Sequence, residues 1–278
     1  MQLHGRLICP LCKAELDRVP SGLICRGVRK HNFDAAAAGY INLNMHSATS
    51  GDDKEMAKAR RAFLRRAYYE NLRDRLHALA LTCTAPEART LLCDAGCGEG
   101  YYTEPYADDF ALTLGVDLSK HALALAGKSA RAAGKGDRLC YLVGSIYALP
   151  IADGACNCIQ SVFAPCAADE FDRVLAPDGA LVIAAAGKNH LFELKKALYD
   201  KVIPNDERRD YPQNMVCVHS ENLTYTAEIA KEDVYPLFTM TPYFYRTRPQ
   251  DAARLLALSH LPLTLDFEIR VYKKKPRQ

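Results

Sequence analysis

TLLCDAGCGEGYYT, residues 90–103, reads as a short apolar strand ending in Asp94, then Gly96, Gly98 and Gly100, then the start of a helix. Alternating glycines allow a sharp turn and let a ligand approach the backbone closely. FALTLGVDLSKHALALAGKSA, residues 110–130, repeats the strand-then-helix order, its strand ending in Asp117, 23 residues beyond Asp94. An acid at the tip of a second strand suits the two hydroxyls of a ribose. Residues 139–165 hold a third strand, Gly144-Ser145, a loop and a fourth strand. EFDRVLAPDGALVIAAAG, 170–187, holds a helix, a Pro-Asp-Gly turn and a fifth strand. LTLDFEIRVYKKK, 263–275, alternates apolar and charged residues at period two, as expected of an antiparallel edge strand.

A glycine-rich loop alone serves several dinucleotide and nucleoside cofactors. Here an acid precedes the first glycine. A pyrophosphate would be repelled by it, whereas the cationic sulfonium and amino group of S-adenosylmethionine tolerate it. With the fourth-strand, helix, L-x-P-x-G, fifth-strand order, the chain reads as α/β, a class I Rossmann-like methyltransferase with a seven-stranded, mostly parallel sheet. A nucleotide-binding Rossmann domain of another kind is the alternative. Asp94, Gly96 and Asp117 are the cofactor contacts read from this pattern.

Upstream, LICPLCKAELDRVPSGLICRGVRKHNFD, residues 7–34, holds Cys9, Cys12, Cys25 and His31. A C-x2-C knuckle facing a second pair has the ligand logic of tetrahedral zinc. So short a segment buries too little to fold alone, and a metal would supply the missing stability. Reduced thiols without metal are the alternative, and His46 is the other nearby histidine. Arg26, Arg29 and Lys30 suit phosphates or a solvated turn equally. The chain has 278 residues, 49% hydrophobic and 25% charged, with net charge +3, which permits a polyanionic partner without demanding one. The eleven cysteines, with no apolar run of membrane length and no secretion signal, suggest reduced thiols and a cytoplasmic location.

Between the halves, SATSGDD (47–53) reads as a linker with Asp52 or Asp53 as a helix cap. Residues 54–81 then follow one helical pattern through Met56, Ala59, Phe63, Ala67, Leu72, Leu76 and Leu79. Lys58, Arg60, Arg61, Arg65 and Arg66 form its other face, either solvated or phosphate-binding. Tyr68 and Tyr69 are core aromatics or ligand contacts. The expected organisation is 1–45 zinc-binding, RNA-recognising domain, 46–85 linker and helical segment, and 86–278 methyltransferase domain. In TPYFYRTRP, 241–249, the aromatics suit either core packing or base stacking.

Taken together, CPLC, Cys25 with His31-x-Phe33-Asp34, GYINL (39–43), ARRAFL (59–64), DAGCGEGYYT (94–103), APC (164–166) and GKNHLFELK (187–195) resemble the large-subunit rRNA (guanine-N1-)-methyltransferase family, which includes the tylosin-resistance enzymes. The resemblance spans nearly the whole chain. It implies one structural zinc ion on Cys9, Cys12, Cys25 and His31, and S-adenosylmethionine contacts at Tyr69, Gly98, Glu99 and His190. The interval from Cys25 to His31 is two residues longer than in that family, but the H-x-F-D context anchors His31. The resemblance further implies methylation of guanine N1 in a hairpin of domain II of 23S rRNA by a homodimer. No catalytic residue is assigned. Phe163 and Pro165 follow the fourth strand and either shape the pocket or stack on the base, Asp169 and Glu170 are weak candidates for a proton acceptor, and Cys166 reads as a buried thiol. A small-molecule methyltransferase and a non-catalytic RNA-binding protein remain the rival readings.

Overall fold

The computed structural model describes residues 5–45, 51–206 and 210–275; His46 and most of the expected linker lie outside them. Strands β1 (Leu16–Val19) and β2 (Gly22–Cys25) form a hairpin turned by Pro20 and Ser21, and β3 (Asn32–Asp34) completes a three-stranded antiparallel ribbon. The chain then runs through β4 (Tyr40–Asn42), α1 (Lys54–Leu64), α2 (Glu70–Cys83), β5 (Leu91–Ala95), β6 (Leu112–Asp117), α3 (Lys120–Ala132) and β7 (Leu139–Val143). It continues with β8 (Cys156–Val162), α4 (Ala168–Val174), β9 (Leu175–Ala186), α5 (Phe192–Leu198), β10 (Met215–Ala230), α6 (Lys231–Thr239), α7 (Pro249–Leu256) and β11 (His260–Lys274).

The main sheet has the order β10-β11-β9-β8-β5-β6-β7-β4. Among the described residues its antiparallel pairings are β10 with β11 and β11 with β9, and β5 to β8 are buried on both faces, as parallel strands between helical layers must be. The Rossmann-like expectation therefore holds, with eight strands among the described residues rather than seven. The extra strand is β4, which leaves the ribbon and pairs in parallel with β7. A second correction concerns the tail. β11 is not the edge strand, because β10, polar along much of its length, adds a further strand outside it.

The expected single helix over 54–81 is two. Asp53 caps α1 by accepting from the Met56 N–H at 2.9 Å, and α1 stops at Leu64. Ala67 takes a left-handed φ of 62° before α2 begins. In the intervening residues Arg65 pairs with Glu104 and Arg66 with Asp233. The arginine face is thus neither bare nor uniformly solvated: Arg60 pairs with Asp52 and Arg61 with Glu99.

The N-terminal module is not a separate bead. Leu7, Leu16, Leu23 and Phe33 share one apolar cluster with Leu91, Leu114, Leu142 and Ile151 beneath the main sheet. Arg18 donates to the carbonyls of Gly136 and Asp137, and Leu7 bridges to Ile151. On the opposite face, Phe63, Leu72 and Leu76 of α1 and α2 pack with Leu92, Val182 and Phe267. No helix among the described residues is long and apolar enough to cross a membrane.

Candidate functional site

The knuckle and the β2–β3 turn bring Cys9, Cys12, Cys25 and His31 together. Their ligand atoms all lie within 4.8 Å of one another, with Cys12 Sγ 3.3 Å from Cys25 Sγ and His31 Nδ1 3.4 Å from Cys9 Sγ. A tetrahedron with zinc–sulfur bonds near 2.3 Å and a zinc–nitrogen bond near 2.0 Å has edges of about 3.5–3.8 Å, so the cluster has the right size and donor set. Burial raises the Cys25 thiol pKa, but the Gly27 N–H, the His31 ring and the neighbouring thiols outweigh it and hold the thiol down to about 6. A thiolate is the form that ligates zinc. All eleven cysteines are free of disulfides. Outside the cluster, Arg26 is engaged by Asp17 and Glu15, whereas Arg29 and Lys30 are exposed with no ion-pair partner among the described residues.

At the carboxyl ends of the parallel strands lies a cavity of about 720 Å³, within the range of small-molecule sites. Its floor is the loop after β5. Gly96, Gly98 and Gly100 there have φ of 85°, 54° and 87°, and a Cβ on Gly100 would sit 2.5 Å from the Tyr141 hydroxyl. Asp117, at the tip of β6, lines the cavity and fixes the loop: its carboxylate accepts from the Gly98 N–H at 2.9 Å and the Ser119 N–H at 2.8 Å. Glu99 also lines the wall. Arg61 donates to its Oε2 at 3.0 Å, while its buried Oε1 has no partner among the described residues. Burial raises the Glu99 carboxyl to about 7. Asp94 sits beneath the loop rather than on the cavity wall. It accepts from the Thr103 hydroxyl at 2.6 Å, and burial raises its carboxyl to about 6. Its position makes it a support for the glycine turn.

The far end of the cavity is aromatic. Tyr69, Phe163 and His190 line it, backed by Phe267, with ring centroids 4.8–6.3 Å apart. Burial lowers the His190 pKa to about 4, so the ring is neutral at physiological pH. The Asp266 N–H lies 3.3 Å from Nδ1, which assigns the proton to Nε2, and Nε2 donates to the Tyr69 hydroxyl at 3.1 Å. Phe163 has a φ of 54° and keeps 40% of its surface exposed. Asp169 and Glu170 do not line the cavity; Glu170 instead holds the Leu149 N–H and Arg173. Cys166 also lies off the wall.

Sequence reasoning missed Arg60, Asp52, Met240 and Tyr243 as cavity residues. Of the TPYFYRTRP segment, Tyr243 reaches the wall, Phe244 packs on Phe238, and Tyr245 donates to Asp53. The residues fit S-adenosylmethionine: a glycine cradle, an acid at the ribose position, unpartnered acidic oxygen near a cationic ligand, and an apolar far wall.

Comparison with known proteins agrees with this geometry. Residues 93–183 match the family described as "Methyltransferase domain", and residues 7–44 match the zinc ribbon described as "RlmA, N-terminal". A Micromonospora griseorubida protein named "Putative 23S rRNA (guanine-N(1)-)-methyltransferase" is 30% identical over 99% of this chain and 98% of its own length. The 23S rRNA (guanine(748)-N(1))-methyltransferase of Streptomyces fradiae is 30% identical over 90% of each chain. Among solved structures, geranyl diphosphate C-methyltransferase from Streptomyces coelicolor A3(2) superposes with a TM-score of 0.50 at 17% identity, covering 81% of this chain and 86% of that one, a likeness of fold alone. Zinc cluster, glycine cradle and full-length identity converge: the chain belongs to the 23S rRNA (guanine-N1-)-methyltransferase family.

Proposed function

We propose that this chain methylates N1 of a guanine in a hairpin loop of domain II of 23S rRNA. S-adenosylmethionine, when bound, supplies the electrophilic methyl group. Gly96, Gly98, Glu99 and Asp117 surround the polar end where it would lie, and Tyr69 and His190 border the aromatic end.

The observation that carries the base-methylating reading is Phe163. A non-glycine residue at positive φ costs about 1–3 kcal/mol and persists where the surroundings impose it, commonly at functional sites. Here the strain leaves a phenyl ring open to the cavity beside two other aromatic groups. N1 lies on the Watson–Crick edge, so the guanine must leave its stack before that edge is reachable, and an open ring offers it a new stacking surface. His190 does not take the N1 proton, because Nδ1 already accepts from Asp266 N–H and burial disfavours the cation. Of the three wall carboxylates, Asp52 is engaged by Arg60, Asp117 by backbone N–H groups, and Glu99 by Arg61 at the polar end, away from the aromatic end where the base would stack. The reading is therefore catalysis by alignment, with the proton passing to water. Arg29 and Lys30 at the exposed tip of the ribbon would meet RNA phosphates.

The test is labelled S-adenosylmethionine with purified protein and a domain II transcript, followed by mapping of reverse-transcription stops. One strong new stop at a hairpin guanine is expected. Cofactor binding without any stop, on transcript and on ribosomal particles alike, would refute the reading. The same reading makes the chain a cytoplasmic homodimer, and sedimentation showing only a 30.8 kDa species at micromolar concentration would refute the dimer.

A further inference from the structure

Arg60 is out of place on a solvated helix face. Its side chain lines the cofactor cavity, with Cδ 3.9 Å from where a Cβ on Gly98 would stand. Asp52 holds one side of the guanidinium, accepting from Nε at 2.7 Å and from Nη2 at 3.2 Å, and Nη2 also reaches the Met240 carbonyl at 3.3 Å. Among the described residues Nη1 has no hydrogen-bond partner. A guanidinium so held is oriented, with one donor pair left over.

The charges around the cavity make that donor pair informative. Three carboxylates, Asp52, Glu99 and Asp117, line the described wall, and Arg60 is its one permanent cation. S-adenosylmethionine carries two cationic centres, the sulfonium and the amino group, and one anionic centre, the carboxylate at the end of its amino acid arm. The acids suit the first two. The carboxylate needs a donor of opposite charge in a largely apolar space. Backbone N–H groups of the glycine loop are the usual rival, but four of them are already engaged. Gly96 and Cys97 donate to the Val116 carbonyl, Gly98 to Asp117, and Gly100 to the Cys97 carbonyl. Arg61, next in sequence, is turned away onto Glu99 and the Leu125 carbonyl.

We propose that Arg60 receives the carboxylate of the cofactor's amino acid arm through its open Nη1 edge, with Asp52 orienting the guanidinium. This rests on the cavity being the S-adenosylmethionine site, and the experiment separates the two claims. Calorimetry on the full, zinc-loaded chain compares S-adenosylhomocysteine, which has the arm, with 5′-methylthioadenosine, which lacks it. Arg60→Met should weaken S-adenosylhomocysteine by roughly 10- to 100-fold, the range for a hydrogen bond to a charged group. It should leave methylthioadenosine unchanged, which also reports that the cavity remains folded. Arg60→Lys keeps the charge but not the fork, and should lose less. An unchanged affinity for S-adenosylhomocysteine, or equal loss of both ligands in both variants, overturns the assignment while leaving the cofactor site intact. Failure of the unsubstituted chain to bind either ligand overturns the cofactor site, and the Arg60 assignment with it.

Discussion

Stripping zinc from Cys9, Cys12, Cys25 and His31 should destabilise the methyltransferase sheet as well as the ribbon. The reason is the shared apolar cluster. Leu7, Leu16 and Leu23 are fully buried and Phe33 nearly so, all against residues of the main sheet. Each such side chain contributes about 1.5–3 kcal/mol by burial, so exposing the four removes about 6–12 kcal/mol. That is comparable to the total stability of a typical domain, about 5–15 kcal/mol. Structural zinc contributes about 10–16 kcal/mol in isolated fingers, enough that the ribbon should not persist without it. The assay is scanning calorimetry under reducing conditions, with and without a zinc-selective chelator, alongside Cys25→Ser. The expected result is a single transition for the metal-loaded chain that moves down by many degrees on chelation, with loss of S-adenosylhomocysteine binding. If chelation removes the zinc while the main transition and the affinity stay put, the ribbon is energetically independent, and the argument from the shared core is wrong.

Phe163→Ala should lower kcat/KM on RNA by about 5- to 100-fold, the worth of one base–aromatic stack, while calorimetry shows S-adenosylhomocysteine binding unchanged. Phe163→Gly should be more stable than Phe163→Ala by about 1 kcal/mol in urea titrations, because glycine alone takes φ of 54° freely. Gly100→Ala should abolish detectable cofactor binding, since its Cβ would clash with Tyr141 and its φ of 87° is unsuited to an L side chain. His190 has a folded pKa depressed to about 4 from 6.5. Its contribution is therefore full above pH 6.5 and is lost as pH falls toward 4. Urea stability measured across that window should fall less steeply with acid in His190→Gln than in the unsubstituted chain.

Both sites were readable where chemistry is local in the sequence. The zinc ligands sit in short hairpins whose spacing fixes their geometry, and the glycine loop needs only its own residues and the acid at the tip of β6. What the sequence hid depends on distant partners. The helical spacing from Met56 to Leu79 runs unbroken past Ala67, because the apolar positions on both sides still face the core. The break at Ala67 coincides with ion pairs of Arg65 to Glu104 and Arg66 to Asp233, partners far along the chain. Arg60 looked like its neighbours Arg61, Arg65 and Arg66; only Asp52 and the Met240 carbonyl distinguish it. β10 escaped notice because its alternation is mostly polar, and its strand character rests on pairing along the whole of β11. β4 has three residues, too few for any periodicity.

The parallel pairing of β4 with β7 has a mechanical consequence. The ribbon is hydrogen-bonded to the sheet edge at one end and fused to its core at the other, so the angle between the tip that carries Arg29 and Lys30 and the cofactor pocket is set when the chain folds. A jaw of fixed opening leaves conformational work to whatever enters it. If the proposed hairpin is what enters, it must bend and splay to fit, and selectivity among hairpins would then reflect how easily each one deforms as much as which bases it carries.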